Sequence, residues 1–177
     1  MRVGWNHIRD QLRLATMPAI LRVAFVRMLM LAVLIGGCAA TPLASRESDA
    51  DAKRFEPALR AAVIYLYRPD IRGGFSTLWV NNRLLGETVA GTYFRVPVRP
   101  GRSIISASGS DMGRIAIDTQ EDGVYFVEMQ VHGESESNST TIFRSVPADT
   151  AKQAIARCCA LLENWRPGQE RFGITNF

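Results

Sequence analysis

Few side chains in this 177-residue chain have the chemistry of a catalytic site. After residue 37 there is a single histidine, His132, so a histidine-rich metal site is excluded and any Ser-His-Asp arrangement must use this residue. His132 falls on the polar face of a predicted strand, where a solvated side chain is the simpler interpretation. Serine is abundant in residues 106–110 and 135–139, but neither segment contains the Gly-x-Ser-x-Gly pattern of a nucleophile elbow. We therefore interpret these hydroxyls as parts of strand ends and loops.

A metal or nucleotide site has equally little support. Glu134, Glu136 and Asn138 alternate in a polar segment and could supply oxygen ligands to calcium, but the segment lacks the glycine and the terminal acid of a calcium loop. The glycines at 73–74 and 109 do not form a phosphate-binding loop before a helix. The sequence therefore predicts no metal and no cofactor.

Arginines near predicted strand ends and turns are the clearest candidates for ligand binding. Their full set is Arg68, Arg72, Arg95, Arg99 and Arg102. Arg68, Arg95 and Arg99 are the candidate binding residues of a groove for an anion such as a lipid headgroup, a peptidoglycan carboxylate or an acidic protein. The simpler interpretation, which we favour, is that these arginines are ordinary solvated residues at strand ends, paired with Asp70 and Glu87 in surface ion pairs that contribute little to stability.

Cys38 is a candidate for a different chemistry. It follows the run Leu34-Ile35-Gly36-Gly37, which closes an apolar stretch that begins after Arg27. This run resembles the lipobox of bacterial lipoproteins, with an apolar residue at minus three and small residues at minus two and minus one. The resemblance implies that the Cys38 thiol receives a diacylglycerol, that the leader is cut before Cys38, and that the new amine is acylated. Several acyl chains anchor a domain stably, whereas one chain binds only marginally.

The segment before Cys38 reads as an export signal over residues 1–37. Its apolar core, residues 28–35, is shorter than the roughly 20 residues that span a bilayer and fits the h-region of a signal peptide. A start at Met17 would give a more compact n-region. Ala39 is not the aspartate that retains lipoproteins in the inner membrane, so in a Gram-negative cell the resemblance implies the inner leaflet of the outer membrane, facing the periplasm. The alternative is an uncleaved anchor that ends in a buried cysteine.

Removing this leader changes the charge of the protein. The whole chain has 21 Lys plus Arg and 17 Asp plus Glu, and subtracting the leader's five bases and one acid leaves 16 of each. The mature chain is therefore formally neutral. Nucleic-acid binding loses its main electrostatic support, and we predict no nucleic-acid partner.

Cys158 and Cys159 matter because exported proteins meet oxidising conditions. Neighbouring cysteines in a regular helix point about 100° apart and cannot readily bond to each other. We therefore expect two buried or half-buried thiols, with an intermolecular disulfide as the alternative.

The mature chain divides into a tether, residues 38–57, and one domain, residues 58–177. The tether mixes polar, charged and small residues and is predicted to be a flexible spacer. In residues 62–67 the odd-numbered and the even-numbered positions are both apolar or aromatic, which predicts a central strand covered on both faces. Asn81-Asn82 between two apolar runs predicts a tight hairpin, and Pro97, which has no amide hydrogen, predicts an edge strand.

Further strands and one helix complete the domain. In residues 125–131 the odd positions are apolar and the even positions polar, with Phe126 as the exception. Residues 140–145 predict a last strand. Pro147 and Asp149 begin a helix, Pro167-Gly168 ends it, and its apolar face comprises Ala151, Ala154, Ile155, Cys158, Leu161, Leu162 and Trp165. Seven or eight short strands and one late helix predict a mainly β fold, an antiparallel β-sandwich with the C-terminal α-helix docked on it or across one end.

The order of several segments resembles the lipoprotein domain family of unknown function DUF2846, over roughly residues 58–151. The segments are Val63-Ile64-Tyr65-Leu66-Tyr67-Arg68-Pro69, Leu85-Gly86-Glu87, Gly91-Thr92-Tyr93-Phe94, Val98-Arg99-Pro100-Gly101 and Gly123-Val124-Tyr125-Phe126-Val127. The hairpin is also similar to PEGA-type modules, small β domains of bacterial surfaces, with Asn81-Asn82 in place of Asp-Gly. The resemblance implies a fold and an envelope location, and it implies no activity.

Two classes of function remain open. The favoured class is a non-enzymatic lipoprotein that is held at the membrane by Cys38 and binds a periplasmic protein or a cell-wall component. The alternative is an envelope hydrolase or modifying enzyme whose pocket is built from residues that no local motif reveals. Scarce histidine and the lack of metal or nucleophile spacing favour the first class. A deep pocket with several ionisable groups would favour the second.

Overall fold

Two β-sheets and two helices form the part of the chain that the computed structural model describes, residues 41–70, 74–109, 113–133 and 138–164. The helices are α1 (Arg46–Ala52) and α2 (Ala148–Cys158). The strands are β1 (Ala62–Arg68), β2 (Ser76–Val80), β3 (Arg83–Thr88), β4 (Thr92–Val98), β5 (Gly101–Ala107), β6 (Arg114–Thr119), β7 (Val124–His132), β8 (Thr140–Ser145) and β9 (Ala160–Leu161). Neither of these helices is long and apolar enough to cross a membrane.

The strands form the predicted sandwich. One sheet has the order β8-β7-β1-β4-β9 and the other has the order β3-β2-β5-β6. Most neighbouring strands are antiparallel, but β1 pairs with β7 and β4 pairs with β9 in parallel. The mainly β fold with a helix near the C-terminal end is therefore confirmed, with these two parallel pairings as an addition.

Strand β1 is buried on both faces, as its sequence predicts. Ile64 and Leu66 belong to the inner core, which fills the space between the two sheets. Tyr65 and Tyr67 belong to an outer core, which lies between the five-stranded sheet and the helices. The domain thus has three layers, namely the four-stranded sheet, the five-stranded sheet and the helices. The helices cover Tyr65 and Tyr67 on the outer face of the five-stranded sheet.

The local predictions for turns and strand faces are confirmed. Asn81 and Asn82 form the hairpin turn with positive φ angles of 50° and 63°, which asparagine tolerates better than most residues. The prediction that the strand of Pro97 is an edge strand is wrong for β4 as a whole, which lies between β1 and β9, but β9 pairs only with Thr92 and Tyr93 and leaves Pro97 uncovered on that side. The apparent exception in β7, Phe126, has its own partner, because its ring stacks on Tyr65 of the outer core at a centroid distance of 5.2 Å.

The prediction of a flexible tether up to residue 57 is wrong for residues 41–57. These residues include α1, which begins at the N-cap Ser45 and ends with Ala52 buried against the sheet. The Tyr65 hydroxyl donates a hydrogen bond to the Ala52 carbonyl at 2.6 Å. Helix α1 has only seven residues and a polar sequence, so its stability comes from this docking, which composition does not reveal. The predicted leader, Cys38 and residues 39–40 lie outside the described residues.

The C-terminal helix is shorter than its apolar spacing predicts. Helix α2 ends at Cys158, and Cys159 is extended with φ −123° and ψ 140°. Leu161 therefore lies in β9 beside β4, and Leu162 enters the inner core. The spacing was misleading because a two-residue strand gives no periodic signal of its own. Trp165, Pro167 and Gly168 lie outside the described residues.

The expectation of two thiols at the end of this helix is also wrong. Cys158 and Cys159 are joined in a disulfide. The geometric objection to this bond assumes that both residues are helical, whereas the helix ends between them. Cys158 is exposed and Cys159 is buried, with 5% of its surface accessible.

The disulfide predicts a specific labelling result. Mature protein that is denatured and alkylated without reductant should carry no label at residues 158 and 159, because neither sulfur is a free thiol. The same sample should carry two labels after reduction. Trypsin cleaves after Arg157, so one peptide that begins at Cys158 reports both positions by mass. Labelling without reductant, or a dimer that separates on reduction, would contradict the bond.

Candidate functional site

A polar cleft of about 340 Å³ opens where α1, the start of β3, the middle of β4 and residues 161–164 meet. We call it the arginine cleft, because Arg83 and Arg95 both line it. Its other lining residues are Ala44, Ser48, Asp51, Ala52, Leu161, Leu162, Glu163 and Asn164. Two guanidinium groups and two carboxylates therefore border one space, so the cleft presents charges of both signs.

Arg95 is held in place by a buried tyrosine. Its Nε donates to the Tyr65 hydroxyl at 3.2 Å and its Nη2 donates to the Glu56 carbonyl at 3.3 Å. Burial raises the pKa of Tyr65, so this side chain remains a neutral phenol that donates to Ala52. An arginine has five N–H donors, and the described residues accept from two of its nitrogens. The guanidinium is therefore oriented while it keeps donors for a ligand.

Asn164 contributes an acceptor to the same cleft. Its Nδ2 donates to the Arg95 carbonyl at 2.9 Å, which also determines which atom of the amide is the oxygen. The Oδ1 atom is buried and accepts no hydrogen bond from any described residue. Buried polar atoms usually have a partner, so this oxygen is suited to an N–H or O–H group of a ligand.

Asp49 ties together the elements around the cleft. Its carboxylate accepts from Lys53 Nζ at 2.7 Å, from the Tyr93 hydroxyl at 2.9 Å and from the Leu161 amide at 2.9 Å. Burial alone would raise the pKa of Asp49, but these hydrogen bonds and the Lys53 charge outweigh it and lower the pKa below its ordinary value. One ionised side chain thus connects α1 with β4 and β9.

The segment before α1 completes this side of the domain. Leu43 forms an antiparallel bridge with Leu162. The Ala44 amide donates to the Leu161 carbonyl at 2.9 Å, and the Glu163 amide donates to the Pro42 carbonyl at 2.9 Å. Residues 42–44 therefore extend the five-stranded sheet beyond β9, and they hold the cleft-lining residues 161–164 from their outer side.

Arg68 is a structural residue and does not belong to this cleft. Its side chain is fully buried, in contrast to the predicted solvated or groove position. Nε donates to Asp70 at 2.8 Å, and Nη1 donates to the Gly74 carbonyl at 2.6 Å. Arg68 lies three positions along β1 from Tyr65 and so on the opposite face of the sheet from Arg95. A buried arginine needs such partners, because an unpaired buried charge is strongly destabilising.

The other predicted arginines are also separate from Arg95. Arg99 is exposed after the end of β4, where its carbonyl accepts from the Thr119 hydroxyl at 3.4 Å. Arg102 is exposed on β5, and Arg72 lies outside the described residues. The structure therefore brings together none of the three candidates Arg68, Arg95 and Arg99, and only Arg95 lines the cleft.

Sequence reasoning missed four charged or amide residues of the cleft, namely Asp51, Arg83, Glu163 and Asn164. Arg83 begins β3 directly after the Asn81-Asn82 turn, and this position was a usable signal, because it is a charged strand end like those already considered. Asn164 had no signal, since its place depends on the strand β9 that replaces the end of the predicted helix.

The remaining sequence candidates do not form a site in the described residues. His132 is exposed at the end of β7, as predicted. Asn138 is exposed, while Glu134 and Glu136 lie outside the described residues. Among the described side chains, no group of three His, Cys, Asp or Glu residues has the arrangement of a metal site.

A second polar cluster stabilises the opposite part of the five-stranded sheet. Glu128 accepts from the Tyr67 hydroxyl at 3.0 Å and from Arg144 of the neighbouring strand at 2.6 Å. Burial would raise the pKa of Glu128, but Arg144 and Tyr67 together lower it. This cluster gives the buried Tyr67 hydroxyl an acceptor, and we assign it a structural role.

Comparison of the chain with protein-family models, with curated proteins and with solved structures finds no match in any of the three. The resemblance to DUF2846 therefore stays a prediction from the sequence.

Replacing Asp49 should destabilise the domain. Asp49→Ala should lower the free energy of unfolding by about 2–3 kcal/mol, because it removes charged hydrogen bonds and leaves the Leu161 amide without its acceptor. Chemical denaturation at neutral pH measures this loss. Asp51→Ala on the same helix is the matched control, since Asp51 makes an exposed ion pair with Arg54 and should cost at most about 1 kcal/mol.

The free energy of unfolding lost in Asp49→Ala should depend on pH. The folded-state pKa of Asp49 is lowered, so its stabilisation is fully present above the unfolded pKa of about 3.9 and is lost as the pH falls through the folded value. The stability difference between wild type and Asp49→Ala should therefore shrink below about pH 4. A difference that stays constant or grows on acidification would contradict the assignment.

Proposed function

We propose that this protein is a lipid-anchored lipoprotein of the bacterial cell envelope whose β-sandwich binds a carboxylate-bearing, peptide-like component in the arginine cleft. The anchor is the lipidated Cys38, and the location is the inner leaflet of the outer membrane, facing the periplasm. The role is binding and not catalysis. The observation that carries the binding proposal is Arg95, which is held by Tyr65 and Glu56 at the edge of an open cleft.

The lining of the cleft supports a carboxylate as the anionic group. The planar fork of a guanidinium matches a carboxylate with two parallel hydrogen bonds. Asp51 and Glu163 border the same space, which disfavours a ligand of high negative charge. These two acids and the Asn164 oxygen instead favour neighbouring N–H donors. A peptide chain with a free carboxylate has this combination of groups, whether it belongs to a protein or to the cell wall.

The described lining also supports binding over proton transfer. Four ionisable side chains line it, but the space is an open cleft and not a deep pocket, and the described lining contains neither histidine nor cysteine. Its serine, Ser48, accepts a hydrogen bond from Ser45 at 3.1 Å in the cap of α1, which gives that hydroxyl a structural role. Charge and hydrogen bonding are therefore the chemistry that these residues provide.

Lipid attachment can be tested in cells. In a Gram-negative host fed an alkyne fatty acid, the wild-type chain should be labelled and should fractionate with the outer membrane, because the lipobox directs acylation of Cys38. Cys38→Ala should lose the label and keep the uncleaved leader. A wild-type chain that is unlabelled and uncleaved would contradict the lipoprotein assignment.

Ligand binding can be tested with a matched pair of arginines, one in β4 and one directly after it. A peptidoglycan disaccharide-tetrapeptide with free carboxylates is titrated into the protein by calorimetry. Arg95→Gln should weaken binding about tenfold or more, since a hydrogen bond to a charged group contributes about 1.5–3 kcal/mol. Arg99→Gln, at the exposed end of β4, should bind like wild type.

Two controls make the calorimetric result specific. The same tetrapeptide with its carboxylates amidated should bind as weakly to wild type as the free acid binds to Arg95→Gln. Equal affinities of both arginine variants, or no preference for the free acid, would contradict the cleft as the carboxylate site.

A further inference from the structure

The first described residues of the domain, residues 41–44, are built into both sheets. The Thr41 hydroxyl accepts a hydrogen bond from the Glu87 amide of β3 at 2.7 Å. Gly86 has a φ of +148°, and a Cβ at this position would lie 2.7 Å from Thr41 Oγ1, so the close approach requires glycine. Residues 42–44 then pair with residues 161–163 beyond β9. We call residues 41–44 the entry edge.

This placement limits the distance between the domain and its lipid. Cys38 precedes Thr41 by three residues, and three residues span at most about 10–11 Å even when fully extended. The predicted spacer of twenty residues would have allowed the domain to move away from the membrane. Because Thr41 is hydrogen-bonded to β3, a lipidated Cys38 would keep the entry edge within this distance of its lipid.

The side chain that the entry edge presents is apolar. Leu43 has 61% of its surface accessible, although its bridge partner Leu162 is buried and has only 3% accessible. An exposed leucine alone is ordinary on a protein surface. Its position five residues after the acylated cysteine is what matters, because the intervening chain limits its distance from Cys38 to about 18 Å at most.

We propose that the entry edge seats the domain directly on the bilayer, with Leu43 inserted in the interfacial layer of the membrane. This inference rests on the proposed lipid attachment at Cys38. The partner is the lipid surface itself. Ala44 belongs both to the entry edge and to the lining of the arginine cleft, so this seating would place that side of the cleft next to the membrane.

Tryptophan quenching by lipid tests the seating. The full-length lipidated protein is reconstituted into vesicles of phosphatidylethanolamine and phosphatidylglycerol, with and without bromine on the acyl chains. Leu43→Trp reports the entry edge. Ile142→Trp is the matched control, because Ile142 is 51% exposed on β8, at the other edge of the same sheet and about 24 Å away across five strand spacings. Subtracting the wild-type signal isolates the added tryptophan.

We expect brominated lipid to remove most of the emission added by Leu43→Trp and little of that added by Ile142→Trp. Intact mass of the same samples reports whether the lipid is present. A lipidated protein in which Leu43→Trp is quenched no more than Ile142→Trp overturns the seating and leaves the anchor standing. A chain without lipid overturns the proposed anchor, and the seating falls with it.

Discussion

The rest of the domain depends on one constraint, the burial of β1 on both faces together with three polar side chains. Tyr65, Tyr67 and Arg68 are all inaccessible to solvent, and each unsatisfied buried polar group costs about 1–3 kcal/mol. Each therefore has a specific partner. Tyr65 donates to the end of α1, Tyr67 donates to Glu128 of β7, and Arg68 pairs with the segment that follows β1. The outer helical layer and the strand order around β1 both supply these partners.

The same requirement shapes the arginine cleft. Tyr93, next to β1 in the sheet, also buries its ring, and its hydroxyl donates to Asp49. Asp49 in turn holds the amide of Leu161, so the docking of α1 and the position of β9 are coupled through one carboxylate. The cleft lies between these elements. Its lining residues Arg95 and Leu161 are therefore positioned by interactions that also satisfy buried tyrosines, and this explains why no local motif marks the cleft.

The difference between Arg68 and Arg95 shows which part of the candidate site the sequence could not predict. Both are arginines on neighbouring strands with apolar residues on each side, and their local patterns are alike. The register of β1 against β4 places them on opposite faces of the sheet. Arg68 is enclosed between the sheets, whereas Arg95 meets the end of α1 and the cleft. Strand register is a pairing between distant segments, so the pattern of either strand alone does not contain it.

The sequence by itself determined the strands, the Asn81-Asn82 hairpin, the two-sided burial of β1 and the sandwich class, because alternation and turn chemistry are local properties that act over a few residues. Only the tertiary structure decided the conformation of two segments, helix α1 and strand β9. The polar residues of α1 became a docked helix through the tyrosine hydroxyls and Asp49. The end of the apolar helical pattern became β9, because pairing with β4 and burial of Leu162 outweighed helical periodicity. These outcomes depend on contacts between residues distant in the chain, from 13 positions apart in the Tyr65–Ala52 pair to 112 in the Leu161–Asp49 pair, and such contacts leave no periodic signal.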